Sequence, residues 1–234
     1  MFQGIEAITF DCYGTLIDWE KGILRALRPM LVVHGKVLPD AEIVRLYAEF
    51  EAEEEREYKP YRDVLMNVVD RFAHHCGFEA EDRERERLPE SIARWEPFPD
   101  TPKALAALGS RYRLAICSNI DDDLFQPTLA KLTAAGASFE RVVTAQYCRS
   151  YKPDPRHFRV ALALLGLAPH QVLHAAQSRY HDLAPAATLG MRTAWVNRPS
   201  VLDGRGMTPE SASGTTPAVS VKSLEELAQV VEDK

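Results

Sequence analysis

The sequence predicts an α/β fold, a parallel sheet flanked by helices with a helical cap inserted after the first strand. Three observations predict it. A short apolar run rich in strand formers, Ile5 to Phe10, lies near the start of the chain. From Asp18 to Trp95 no strand pattern appears, only helical periodicity. After residue 95, short apolar runs alternate with helix-like segments, the pattern of βαβ units with right-handed crossovers.

Ile5 to Phe10 ends at Asp11 and a Gly14-Thr15 turn, which reads as a buried parallel strand feeding a functional loop. Glu42 to Glu57 is helix-like with one polar side. Leu65, Val68, Val69, Phe72, Ala73 and Cys76 recur at helical spacing and make one apolar face. Glu79 to Glu90 is a mixed charge run, read as a solvated helix face. The proline-rich WEPFPDTP (Trp95 to Pro102) punctuates the chain. Beyond it, Pro102–Leu108 suits a helix, and Tyr112–Cys117 a strand running into Ser118-Asn119. Leu124–Ala135 suits a helix and Arg141–Ala145 a short strand. Pro155–Leu165 is a helix stopped at Gly166. Val172–Ala176, Thr193–Val196 and Ala218–Val221 read as strands, with a helix over Leu183–Leu189. Ser223 caps a final helix through Val231. Pro199 to Pro217 reads as a long surface loop. The expected division is a core of residues 1–17 and 96–234 and a cap of residues 18–95.

The 234 residues are 46% hydrophobic and 26% charged, enough for a full core. Net charge is −6 with a pI near 5.7, so there is no basic excess for a nucleic-acid backbone. Cys12, Cys76, Cys117 and Cys148 are dispersed without a CxxC pair. That points away from zinc and disulfides and toward a reducing, cytoplasmic setting. MFQGIEAITFDCYG lacks a basic n-region and does not read as a signal peptide. No apolar run reaches the ~18 residues of a membrane span. Oligomeric state stays open, with a homodimer compatible with exposed cap helices.

In a parallel sheet the strand ends bring distant residues to one crevice. The first delivers Asp11, Tyr13 and Thr15, the second Ser118 and Asn119, and a loop before a helix Lys152. A fourth delivers Gln177, Ser178 and, just inside the next helix, Asp182. Each element alone is weak; their convergence is the argument. Cys12 alternates to the other side of an extended chain and reads as a core thiol. His174, His181 and Trp195 read as structural.

FDCYGTLID (Phe10 to Asp18), CSNID (Cys117 to Asp121), SYKPDPRHF (Ser150 to Phe158) and the spaced Asp182 resemble, in order, the four signature motifs of the haloacid dehalogenase superfamily. The resemblance is greatest to its (S)-2-haloacid dehalogenases. HAAQSRYHDLAPA (His174 to Ala186) and the Asp18-Trp19 pair resemble a branch that includes 2-haloacid dehalogenases and an azetidine-2-carboxylate hydrolase. The resemblance implies a Rossmann-like core with a helical cap, and a small carboxylic acid as substrate.

The superfamily's phosphatases carry Asp-x-Asp in the first motif and a magnesium-binding Asp in the fourth. Here those positions hold Tyr13 and Gln177. A phenol is unsuited to protonating a leaving group near neutral pH, and Mg²⁺ demands hard, usually anionic oxygens. The expectation is therefore chemistry with no metal and no cofactor, with Lys152 pairing Asp11. Asp11 attacks C2 of an (S)-2-substituted acid, expelling halide or another group and forming an ester; water then attacks that ester, with Asp182 as base. Backbone N–H groups near Cys12 and Tyr13, with Thr15, Ser118 and Asn119, bind carboxylate or oxyanion. Gln177 and Ser178 stand beside them, and Trp19 and Tyr13 wall the site. By resemblance, Asn119 and a cap arginine, for which Arg45 is the candidate, cradle the leaving group. Phe158 stands where haloacid dehalogenases often place Tyr, and Arg179 and Tyr180 where relatives carry a Ser-Asn pair. These departures leave room for another leaving group. The rival readings are a phosphatase with unusual metal ligation, an azetidine-type ring-opening hydrolase whose proton donor the sequence does not show, and a non-catalytic binder of small acids.

Overall fold

The computed structural model describes residues 2–202 and 216–232. Most of the surface loop expected over Pro199–Pro217 therefore lies outside the described residues. The sheet has six parallel strands in the order β3-β2-β1-β4-β5-β6. They are β1 (Ala7–Phe10), β2 (Arg113–Ser118), β3 (Arg141–Thr144), β4 (Val172–Ala176), β5 (Arg192–Val196) and β6 (Val219–Val221). β1 and β4 are buried along their whole length, so both read in sequence as nearly continuous apolar runs. Phe10 pairs with Ile116 of β2 on one side and Ala175 of β4 on the other. The strand order reverses at β1 and β4, which opens a crevice beyond their carboxyl ends.

Between β1 and β2 every regular element is helical. α1 (Trp19–Val33), α2 (Asp40–Glu54) and α3 (Tyr61–Cys76) carry the bulk, followed by the short α4 (Asp82–Arg85) and α5 (Arg87–Ser91). α3 buries Val64, Leu65, Val68, Val69, Phe72 and Ala73, the face its spacing predicts, with Cys76 only partly buried. α1 has no counterpart among the expected helices. It buries Ile23, Leu24, Leu27, Met30 and Leu31 despite Pro29 in its interior, and the Asp18 side chain caps it by accepting from Lys21 N at 3.3 Å. The two ends of this helical excursion are pinned together: Asp18 N donates to Glu96 O at 2.9 Å, and Ile17 bridges to Pro97.

The remaining helices are α6 (Thr101–Gly109), α7 (Asp122–Ala134), α8 (Ala145–Cys148), α9 (Arg156–Leu165), α10 (Ala184–Thr188) and α11 (Leu224–Glu232). The helix expected over Leu183–Leu189 begins earlier, as a wide π-type turn over Arg179–Leu183. The Ser178 hydroxyl causes this by accepting from His181 N at 2.9 Å and starting the turn. That turn brings Asp182 back beneath the end of β4. No described helix is long and apolar enough to cross a membrane.

Gly22 on α1 lies against the Trp95 ring, and an added Cβ would come within 2.5 Å of it. Trp95 is itself fixed by an indole donation to Ser91 Oγ at 2.9 Å. Gly22→Ala should therefore cost about 1–3 kcal/mol of stability through overpacking, seen as a lower urea midpoint.

Candidate active site

At the end of β1 the chain turns sharply. Cys12 O accepts from the amides of Thr15, Leu16 and Ile17, and Gly14 takes φ +91°. A Cβ on Gly14 would meet the Trp19 indole at 2.9 Å, so glycine is needed for both conformation and space. The turn returns Thr15 over Asp11. Thr15 Oγ1 donates to Asp11 Oδ2 at 2.7 Å and accepts from Gln177 N at 2.9 Å, joining the ends of β1 and β4.

Lys152 reaches the crevice from the loop before α9. Its ammonium donates to Asp11 Oδ1 at 2.9 Å, to Asp182 Oδ1 at 2.7 Å and to Cys117 O at 2.9 Å, using all three protons. Only 2% of Lys152, 1% of Asp182 and 7% of Asp11 is exposed. Asn119 at the end of β2 clamps the lysine backbone from both sides. Its Oδ1 accepts from Lys152 N at 2.8 Å, and its Nδ2 donates to Lys152 O at 3.3 Å. Asp182 is held in turn by His174 Nε2 at 2.9 Å, and His174 Nδ1 lies 2.9 Å from Thr9 Oγ1.

Burial alone pulls the Lys152 ammonium down, but Asp11 and Asp182 outweigh it and hold it above its ordinary value. Burial pushes Asp182 up, whereas Lys152 and His174 together bring it down to about 2. Burial and the charge of Asp182 raise Asp11, against the opposition of Lys152 and Thr15. The result is a poorly hydrated carboxyl group whose charged form is opposed by burial and supported by Lys152 and Thr15.

These groups open on a cavity of about 70 Å³ lined by Asp11, Lys152 and Asp182, by strand-end residues, and by cap residues of α2 and α3. That is room for roughly five waters, which suits a small molecule and not a nucleotide. Of the residues expected at the site, Asp11, Tyr13, Trp19, Ser118, Asn119, Lys152, Gln177, Ser178 and Asp182 line this cavity. Thr15 lies behind Asp11, fully buried. The Ser118 hydroxyl is buried without a hydrogen-bond partner.

One expected site residue requires correction, and Cys12, placed among the substrate-binding positions through its backbone, keeps its side chain in the core. Arg45 is exposed on α2, ion-paired with Glu49 at 2.9 Å, and does not line the cavity; it shares a helix with the cavity wall but its side chain is held at the surface. The Cys12 side chain is fully buried in the core and absent from the lining, and burial drives its thiol pKa up. Six lining residues had no expected role at the site: Ala48, Ala52 and the polar Glu51, Glu55, Tyr61 and His181. The signal for Glu51 and Glu55 was the four-residue spacing of Tyr47, Glu51 and Glu55 on one helix face, hidden among Glu49, Glu53, Glu54 and Glu57.

The residues present do not fit a divalent cation. The Asp11 oxygens are engaged by Lys152 and Thr15, and the ammonium takes one oxygen of Asp182. The Tyr13 hydroxyl turns away to Thr128 Oγ1 at 3.0 Å, and position 177 is a neutral amide. Among the described residues no group of three or more His, Cys, Asp or Glu is placed to hold a metal.

The sheet and its strand-end cluster define a class: parallel α/β enzymes built on an aspartate at the end of the central strand. The family model for haloacid dehalogenase-like hydrolases matches residues 5–176, and the chain belongs to that family. It is similar to an (S)-2-haloacid dehalogenase of Pseudomonas sp. (strain YL), 28% identical over 222 residues, covering 88% of this chain and 89% of that one. It is also similar to the pyrophosphatase PpaX of Bacillus velezensis, 28% identical over 201 residues, covering 82% and 83%. The L-2-haloacid dehalogenase of Xanthobacter autotrophicus, solved with chloropropionic acid covalently bound, shares the fold at a TM-score of 0.82. That likeness spans 97% of this chain and 98% of that one at 22% identity. Overall identity does not separate dehalogenase from phosphatase; the residues at the site have to.

Lys152→Met would leave Asp11 and Asp182 buried without a cation. A cost of about 3–5 kcal/mol is expected at pH 7. With the ammonium gone, both carboxyls titrate above their unfolded values. Neutral, they leave the variant near wild-type stability in acid, and the penalty appears as pH rises through the raised folded values. Urea midpoints of both proteins between pH 4 and 7 check this, the gap widening toward pH 7.

Proposed function

We propose that this chain hydrolyses small carboxylic acids carrying a displaceable group on C2, through an ester on Asp11 and with Lys152 in place of a metal. The observation that carries the reading is the buried Lys152 ammonium, 2.9 Å from Asp11 and 2.7 Å from Asp182. It fills the role of a divalent ion in keeping Asp11 ionised, while Tyr13 and Gln177 stand where a phosphatase needs carboxylates. The named activities of the dehalogenase relatives support the same class.

In the first step an Asp11 oxygen attacks C2 from the side opposite the leaving group, which departs with the bonding pair. The substrate carboxylate is met by neutral donors: the unpartnered Ser118 hydroxyl, the Asn119 amide and backbone N–H groups after Asp11. In the second step water attacks the ester carbonyl of Asp11, and the C2 oxygen leaves as a hydroxyl. Asp182 takes the water proton. His181 is the second acceptor within the cavity; burial brings it down to about 4, so it is neutral at pH 7.

Three outcomes are expected. Asp11→Asn lowers turnover of (S)-2-chloropropionate, followed by chloride release, by more than about 10³-fold. EDTA leaves the wild-type rate unchanged. In a single turnover in H₂¹⁸O, the label enters Asp11 and not the product. Label entering the product directly, or activity lost to EDTA and restored by Mg²⁺, would contradict the reading.

A further inference from the structure

The helical cap joins the core at two crossings, and a second cavity, of about 300 Å³, lies against both. The outgoing crossing contributes Asp18 and the first turns of α1; the returning one contributes residues 94 to 97 and Pro99. Trp95, Pro97 and Pro99 give it an apolar wall, and Lys21, Arg25 and Arg94 place three cations on it. It shares no lining residue with the cavity above Asp11.

The three cations are unsatisfied. Among the described residues none of their side chains has an ion pair or hydrogen-bond partner, whereas Arg28 on the same helix pairs with Asp40 and Arg62 pairs with Glu86 at 3.0 Å. Two carboxylates share the lining, and both are met elsewhere. Asp18 caps α1 by accepting from Lys21 N at 3.3 Å, and its charge bears on the Arg198 guanidinium. Glu96 pairs with Lys131 Nζ at 3.2 Å. The lining is therefore cationic on a chain whose net charge is −6.

Local physics opposes this arrangement. Lys21 and Arg25 are like charges four residues apart on one helix, a destabilising pair. Lys21 also stands in the first turn of α1, where the helix dipole disfavours a cation. An anion seated among them relieves the repulsion. Guanidinium groups engage carboxylate and phosphate oxygens in pairs, and an ammonium adds a point charge. Three cations on one wall exceed what a single carboxylate needs and match an oxyanion of higher charge. The indole and proline faces accept the ligand's apolar body.

We propose that this hinge cavity binds a small multivalent oxyanion, held by Lys21 and Arg25 of the outgoing crossing and by Arg94 of the returning one. Such a ligand bridges the two crossings and resists their separation. Polycarboxylates and phosphates share the chemistry that the site recognises. The site does not depend on the reaction assigned to Asp11.

The test is isothermal titration of the full chain with citrate and, separately, with inorganic pyrophosphate, at ionic strength held constant with NaCl. Saturable binding at one site per chain is expected, with a Kd below about 1 mM for at least one probe; the tighter probe identifies the source. Arg25→Gln and Arg94→Gln should each weaken it by about fivefold or more, and Arg25→Lys should recover part of the loss. Arg83→Ala, at an exposed cap arginine outside the cavity, should leave it unchanged. Lys21, Arg25 and Arg94 are exposed, so these substitutions spare the core, and an unchanged far-ultraviolet circular dichroism spectrum checks folding. The ligand should also raise the wild-type Tm beyond the general salt effect seen in the Arg25→Gln/Arg94→Gln double variant. Saturation only above about 1 mM with both probes, binding that survives in the double variant, or an equal loss in Arg83→Ala would overturn the proposal.

Discussion

The structure is organised around one buried cation. The Lys152 ammonium sits between two carboxylates and a backbone carbonyl, almost wholly buried at the floor of the cavity. Each contact belongs to a different part of the sheet edge: Asp11 follows β1, Cys117 lies on β2, and Asp182 follows β4. Removing a lysine from water opposes its charge, and only the two nearby anions reverse that balance. The ion pair and the strand order therefore depend on each other. The sheet brings the three charges together, and their mutual neutralisation permits the crevice to close over them.

Chemical consequences follow from placing an ammonium between Asp11 and Asp182. Lysine supplies one charge at fixed positions and needs no inner-sphere exchange. Its three protons go to Asp11, Asp182 and the Cys117 carbonyl, which leaves none for an incoming phosphate. The two substitutions in the motifs agree with this. Tyr13 sends its hydroxyl to Thr128, away from the reacting carboxylate, and Gln177 gives its backbone to Thr15 and Trp195. The cavity beside them is small and walled by Trp19, which packs edge-on against Tyr47 of the cap at 5.8 Å.

The core was legible because buried parallel strands are written as apolar runs and because their ends carry polar residues that nothing else explains. β4 is read with its observed limits; the other strands shift by one or two residues at their ends, where pairing and not side-chain character decides. The turn at Arg179–Leu183 was not legible, since it is started by a Ser178 side-chain bond and not by periodicity. α1 escaped because Pro29 argues against a helix interior, although the apolar spacing of Ile23, Leu27, Met30 and Leu31 was present. The cap side of the site was hardest. Arg45 and Glu51 lie on one helix, and which of them turns inward depends on how α2 rotates against α3, a packing fact with no local signature. Choosing Arg45 followed the charge a halide needs, and the packing selected the acidic face.

That reversal of charge is the feature that distinguishes this cavity. The core half holds one lysine against two carboxylates, and among the described residues lining the cavity Lys152 is also the one lysine or arginine that faces the pair of glutamates. Burial pushes carboxyls in that position toward the protonated form. The tyrosine hydroxyls on Glu51 work against this, because they donate to a carboxylate and would add little to a neutral acid. The cavity is thus acidic on its cap side, at Glu51 and Glu55, and lined by the hydroxyl of Ser118 and the amide of Asn119 at the strand ends.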